Sequence, residues 1–191
     1  FYLYSHNTRG LGHAARNAAI AQGIYEISPE SSTLSVTGAL AQISEILPGN
    51  ADYVKLPSFD GVEQNGELVI VPQRLKIKKK ELIKLRASII EAAALSFRPD
   101  VFVVDFSPIG KGGEITHTLE RVRSELPKTR IYLGIRDITG QLPNNSLVYN
   151  NEIVDFINMH YDAIFYYGDP LVIPYETDPF TLTQSKRLKI P

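Results

Sequence analysis

Phe1-Tyr2-Leu3-Tyr4 runs directly into Ser5-His6-Asn7-Thr8-Arg9-Gly10-Leu11-Gly12-His13-Ala14-Ala15-Arg16. The four apolar residues predict a buried strand, the polar glycine-bearing stretch a tight turn, and the alanine-rich segment from Ala14 a helix. A strand, turn and helix in that order point the free N–H groups and partial positive charge of the helix start at whatever lies above the strand. Such a spot favours an anion. His6, Arg9, His13 and Arg16 are concentrated there.

The rest of the chain repeats the theme. A helix is expected to Ile27, with Ile20, Ile24 and Ile27 along one face, then strands at Thr33 to Thr37 and Asp52 to Leu56, separated by a short helix over Ala39 to Leu47. Between Pro57 and Lys76 the turn signals Asp60-Gly61 and Asn65-Gly66 flank short apolar runs, which suits a loop excursion with a short hairpin. Leu82, Leu85, Ile89, Ala93 and Phe97 fall at helical spacing. Val101-Phe102-Val103-Val104 then forms a continuous apolar run of the kind found in a central parallel strand. A helix carrying Ile115, Leu119, Val122 and Leu126, a strand at Ile131 to Ile135, a helix from Asn151 to His160 and a strand at Ala163 to Tyr167 complete the series. Strands that alternate with helices predict an α/β, Rossmann-like three-layer domain, with a mainly parallel sheet of about six strands and helices on both faces. The polar clusters follow the strands, so they should share the rim where open sheets of this type bind ligands.

With 191 residues, 43% of them hydrophobic, the chain can bury a core without staples. Twenty basic and twenty-one acidic side chains leave a net charge of −1, which gives no global field toward nucleic acid. Zero cysteines exclude disulfides and thiolate metal sites and suit a cytoplasmic setting. Neither a carboxylate pair nor a histidine cluster suggests a tightly held metal. Residue 1 already lies in a strand, and Gly168-Asp169-Pro170 opens an aperiodic, proline-bearing stretch. The expected organisation is a Rossmann-like domain over 1–168 and a linker over 169–191 toward a second domain of the same protein.

Gly10-Leu11-Gly12-His13-Ala14-Ala15 fits G-x-G-x-x-G/A, the dinucleotide pattern, which requires an acidic residue at the end of the second strand to hold a ribose hydroxyl. That strand ends in Val36-Thr37-Gly38, so no nicotinamide or flavin cofactor is expected. The glycines still let a phosphate-bearing or sugar-bearing ligand approach the backbone.

The stretch His6 to Arg16 resembles the first loop of GT-B glycosyltransferases, especially family-28-like enzymes related to the lipid-linked peptidoglycan N-acetylglucosaminyl transferase. A bacterial group of predicted glycosyl transferases has a similar G-x-G-H-x-x-R loop. It also has a Pro-Asp-apolar fourth strand similar to Arg98 to Asp105 and an Arg-Asp pair similar to Arg136-Asp137. The resemblance implies the first, acceptor-side half of a two-domain enzyme that moves a sugar from a nucleotide-sugar donor to a hydroxyl acceptor. His13 matches the general base of that family. The isolated half should be inactive, since the donor motifs belong to the missing C-terminal domain.

Physical chemistry agrees in outline, because displacing a nucleoside diphosphate needs a base near the acceptor hydroxyl and positive groups near the leaving phosphates. His13 is therefore the candidate catalytic residue. Gly10, Gly12, Arg16, Asp105, Ser107, Lys111, Gly112, Arg136 and Asp137 are candidate substrate-binding residues. Asp105 can orient a catalytic group or cap a turn, and Arg136-Asp137 can bind substrate or pair locally. His6 and Arg9 read as a solvated turn tip, His117 and His160 as structural. Lys76, Lys78, Lys79, Lys80, Lys84 and Arg86 form a basic run. It would meet anionic headgroups in a membrane-peripheral protein with a lipid-linked acceptor, or simply be a solvated helix start. Two alternatives share the architecture: a nucleotide-sugar 2-epimerase and a non-catalytic ligand-binding domain.

Overall fold

In the computed structural model, residues 1–6, 12–39, 43–64, 67–136, 151–169, 171 and 187–191 are described. The strands are β1 (Tyr2–Ser5), β2 (Thr33–Thr37), β3 (Ala51–Lys55), β4 (Phe59–Gln64), β5 (Glu67–Pro72), β6 (Val101–Asp105), β7 (Arg130–Arg136) and β8 (Ala163–Tyr167). The α-helices are α1 (Gly12–Ile27), α2 (Lys79–Phe97), α3 (Thr116–Glu125) and α4 (Asn151–His160). Six strands form one sheet in the order β3-β2-β1-β6-β7-β8, every neighbouring pair parallel. With the hairpin strands set aside, this is the 3-2-1-4-5-6 order of a doubly wound Rossmann-like sheet, and its parallel pairing is what the α/β alternation predicts. The excursion after β3 is a true antiparallel hairpin, β4 with β5. Of the short helix expected over Ala39 to Leu47, the described part is a 3-10 turn at Ile43–Glu45.

Register decides which side chains share a face. Ser5 pairs with Thr37 on one side and Asp105 on the other, Asp105 pairs with Gly134, and Gly134 with Phe165. In parallel strands, partners point to the same face. The opposite face carries Tyr2, Tyr4, Val36, Phe102, Val104, Ile131, Leu133 and Ile135, which form the main core with Ile90 and Ala94 of α2, Leu119 and Val122 of α3 and Ile157 of α4. Full burial of each such large side chain contributes roughly 1.5–3 kcal/mol. On the first face α1 lies against Leu3 and Val103.

Two helices turn differently from their apolar stripes. α1 buries Ala14, Asn17, Ala18 and Ala21, while Ile27 is 87% exposed. Alanine lets the helix approach the sheet more closely than isoleucine would, so the small-residue side wins. α2 buries Leu82, Arg86, Ile90 and Ala94, one position on from the expected stripe, and Leu85 is 40% exposed. Arg86 therefore leaves the basic run: it is fully buried and paired, whereas Lys76, Lys78, Lys79, Lys80 and Lys84 are exposed. Among the described residues, no helix is long and apolar enough to cross a membrane. Within the stretch read as a linker, Arg187 pairs with Asp155 of α4 at 3.0 Å, and the Ile164 N–H donates to the Pro191 carbonyl at 2.8 Å.

Candidate active site at the strand switch point

The chain leaves β1 in one direction to build β2 and β3, then returns to the middle as β6 and continues in the other direction. The crevice between the carboxyl ends of β1 and β6 is thus the switch point, where ligands bind in sheets of this kind. β6 ends there in Asp105, which is 1% exposed. Both of its carboxylate oxygens are engaged by α1. His13 Nδ1 lies 2.6 Å from Oδ2, and Arg16 Nη1 donates to Oδ1 at 2.6 Å. Residues 13 and 16 stand three apart, so they project from one side of the helix. The side chains of His13 and Arg16 are 20% and 23% exposed, which leaves each accessible while its polar partner is sealed.

An ionised carboxylate accepts only, so Nδ1 of His13 is the donor in this bond and Nε2 is left facing away from Asp105. The Asp105 carboxylate thus holds an imidazole and a guanidinium at once.

The site's surroundings are aromatic. The rings of His6 and His13 have centroids 4.9 Å apart, and Phe106 lies 6.2 Å from His6 and 5.8 Å from His13. His6 is partly buried against these rings, not a solvated tip, which corrects the sequence expectation. Burial, with help from the His13 and Lys111 charges, pushes its pKa down to about 4. Arg16 sits over the ring of Tyr167, 5.2 Å from the centroid. Tyr167 reaches this place by lying across Gly134, where a Cβ would collide with the Tyr167 hydroxyl and ring. Burial first, then the Asp105 charge, pushes the phenol up to about 12, so it stays protonated.

The other candidates are placed as follows. Gly12 opens α1 and is exposed, with nothing near enough to exclude a side chain. The Ser107 hydroxyl donates to the Gly110 carbonyl at 3.0 Å. Gly112 has φ +64°, and a Cβ there would stand 2.7 Å from Ile83 Cδ1, so α2 is its immediate neighbour. Lys111 is partly buried, and burial followed by the Lys79 charge lowers its pKa. Arg136 ends β7 on the same rim. Gly10, Arg9 and Asp137 lie outside the described residues. His117 pairs with Glu91 at 2.5 Å, and His160 packs its ring on Phe156 at 4.3 Å.

Sequence reasoning passed over Phe106 and Tyr167. Each directly follows or ends a strand on the rim already marked by polar clusters, and that position was the available signal.

Comparison with known proteins adds little to this geometry. No family model and no curated protein matches the chain. Among solved structures, a UGT transferase from Siraitia grosvenorii, crystallised in complex with UDP, is similar at 14% identity and a TM-score of 0.43. The match covers 71% of this chain and 28% of that one, so this chain spans less than a third of that protein's length.

Proposed function

We propose that this chain is the acceptor-side domain of a two-domain glycosyltransferase, a hexosyltransferase that moves a sugar from a nucleotide-sugar donor to a hydroxyl acceptor. The observation that carries this reading is the His13–Asp105–Arg16 constellation at the switch point. The resemblance of His6 to Arg16 to a GT-B first loop supports it independently.

In this mechanism Nε2 of His13 takes the acceptor hydroxyl proton as the oxygen attacks the anomeric carbon. The bond from that carbon to the nucleoside diphosphate breaks, and its electron pair leaves on the phosphate oxygen. Asp105 keeps the proton-bearing Nδ1 occupied and stabilises the imidazolium that forms. Arg16, together with the start of α1, offers positive charge to anionic oxygens. Gly10 and Gly12 let the ligand approach, and Ser107, Lys111, Gly112, Arg136 and Asp137 belong to the same rim as binding candidates. In this reading the donor-side domain belongs to the same protein, and the acceptor side by itself is inactive. Exposed Lys76, Lys78, Lys79, Lys80 and Lys84 would hold a cytoplasmic enzyme at an anionic membrane if its acceptor is lipid-linked.

The test is turnover of the full-length protein with nucleotide sugar and acceptor. His13→Ala should lower it by about 10²–10⁴-fold, the range a positioned general base supplies. Turnover that stays near wild type would remove the base assignment. Labelled nucleotide sugar that epimerises without an acceptor would replace transfer with 2-epimerisation.

A further inference from the structure

Asp105 is followed by a backbone conformation that a phenylalanine adopts only under constraint. Phe106 has φ +71°, and the Ser107 N–H donates to the Asp105 carbonyl at 2.9 Å. Together these close a γ-turn of the positive-φ kind, which is rare and strained. For a bulky side chain such a φ is an outlier, and strain of this sort persists only where the surroundings over-determine it. Here the Phe106 N–H is anchored on the Gly134 carbonyl at 2.7 Å.

The turn has a definite consequence. It carries the Phe106 ring back to His6, stacked at 27° between planes, and to His13, tilted at 54°. Three rings from three elements thus meet at the switch point: His6 after β1, His13 near the start of α1, Phe106 after β6. Among the described residues, the charged groups acting on His6 are His13 of α1, Lys111 of the loop after β6, Asp105 of β6 and Arg86 of α2. Its Nδ1 is buried without a hydrogen-bond partner, which a neutral ring tolerates far better than a charged one.

We propose that Phe106 is a positioning residue for His13: its ring, folded back by the γ-turn and stacked on His6, holds the two imidazoles in their tilted arrangement, 4.9 Å apart, and keeps water from the His13–Asp105 bond. The benefit to catalysis rests on the reading of His13 as base, whereas the ring packing stands without it.

The experiment is imidazole titration by two-dimensional proton–nitrogen spectra of the full chain, comparing wild type with Phe106→Gly and Phe106→Tyr. Glycine accepts positive φ, so Phe106→Gly removes the ring and relieves the turn together. In wild type, His6 should titrate at about 4 and His13 should show a single tautomer with the proton on Nδ1. In Phe106→Gly the His6 midpoint should rise by about one pH unit or more as the ring hydrates, and His13 should exchange between tautomers. Phe106→Tyr should restore both. A Phe106→Gly protein with the His6 midpoint and the His13 tautomer unmoved overturns the proposal. If that variant does not fold, Phe106→Asn carries the same test, since asparagine tolerates left-handed backbone. Neither readout needs a substrate, so a protein without transferase activity would end the functional reading and leave this result standing.

Discussion

Two carboxylates, on opposite faces of one sheet, each grip an arginine. Glu114 takes Arg86 through two hydrogen bonds, of 2.5 and 2.7 Å, accepts the Tyr4 hydroxyl at 2.5 Å, and both members of the pair are 0% exposed. Arg86 also donates to the Pro57 carbonyl at 2.7 Å and lies over Phe59, 5.0 Å from its ring centroid. Burial alone would lower the Arg86 pKa, but its hydrogen bonds and charge pairing with Glu114 outweigh this and hold it raised. Asp105 takes Arg16 and His13 with similar distances, yet its partners remain partly exposed. The sealed cluster ties β1, α2, the hairpin approach and the loop before α3 into one body. The half-open cluster spends its buried carboxylate on holding side chains that a ligand can reach. Buried charge is common to both, and the exposure of the partners is what differs.

The comparison can be broken at either end. The largest effect is expected from Asp105→Asn in the full-length protein. The amide can no longer act as a pure acceptor, so His13 loses its fixed tautomer and, if His13 is the base, turnover should fall by up to about 10⁴-fold, the loss that amidating the buried Asp of a Ser-His-Asp triad causes. Stability should change much less, and a large loss of thermal midpoint in this variant would make the open cluster a structural one too.

Next is Glu114→Gln, which leaves the Arg86 charge uncompensated in the interior. Removing one partner of a buried pair costs about 3–5 kcal/mol, readable as a lowered urea midpoint. Arg86→Met combined with Glu114→Leu should recover much of that loss, as apolar replacement of a whole pair often does. A double variant no better than the single one would show that the cluster stabilises beyond charge compensation.

Gly134→Ala comes third. The new Cβ would collide with the Tyr167 ring, so overpacking should cost about 1–3 kcal/mol and move the aromatic platform from under Arg16. Binding of nucleotide sugar should weaken in parallel. If affinity and stability are both unchanged, Tyr167 does not seat Arg16.

The smallest effect concerns pH. His6 has its folded-state value depressed to about 4 from 6.5. Above 6.5 the ring is neutral in both states, and its contribution is fully present. As pH falls from 6.5 toward 4, the unfolded chain binds a proton that the folded chain refuses, so stability falls with pH in that window. His6→Gln should flatten this slope in denaturation curves between pH 7 and 4.5. An unaltered slope would mean that His6 is not the group responsible.

Much of the architecture could be read without coordinates. The alternation of apolar strands with helices dictates a parallel sheet, because a crossover of that length returns the chain in the same direction. The last helix and last strand coincide with their predicted bounds, since Val154 and Ile157 repeat at helical spacing and Ala163 to Tyr167 is a short apolar run after a break. The facing of α1 and α2 was less legible. Periodicity favours the largest apolar residues, whereas α1 was turned by the need for close approach and α2 by a buried arginine whose partner is 28 residues away.

At the site, the residue types and their rim were determined by sequence alone: a histidine and an arginine three apart at a helix start, an aspartate closing an apolar strand. What joins them is tertiary. His13 and Asp105 are 92 residues apart, and only the adjacency of β1 and β6 brings them to 2.6 Å. The γ-turn at Phe106 and the passage of Tyr167 over Gly134 belong to the same category, because each depends on a neighbouring strand's backbone. Local pattern reports what a residue can do, and long-range strand order decides which other residue it does it with.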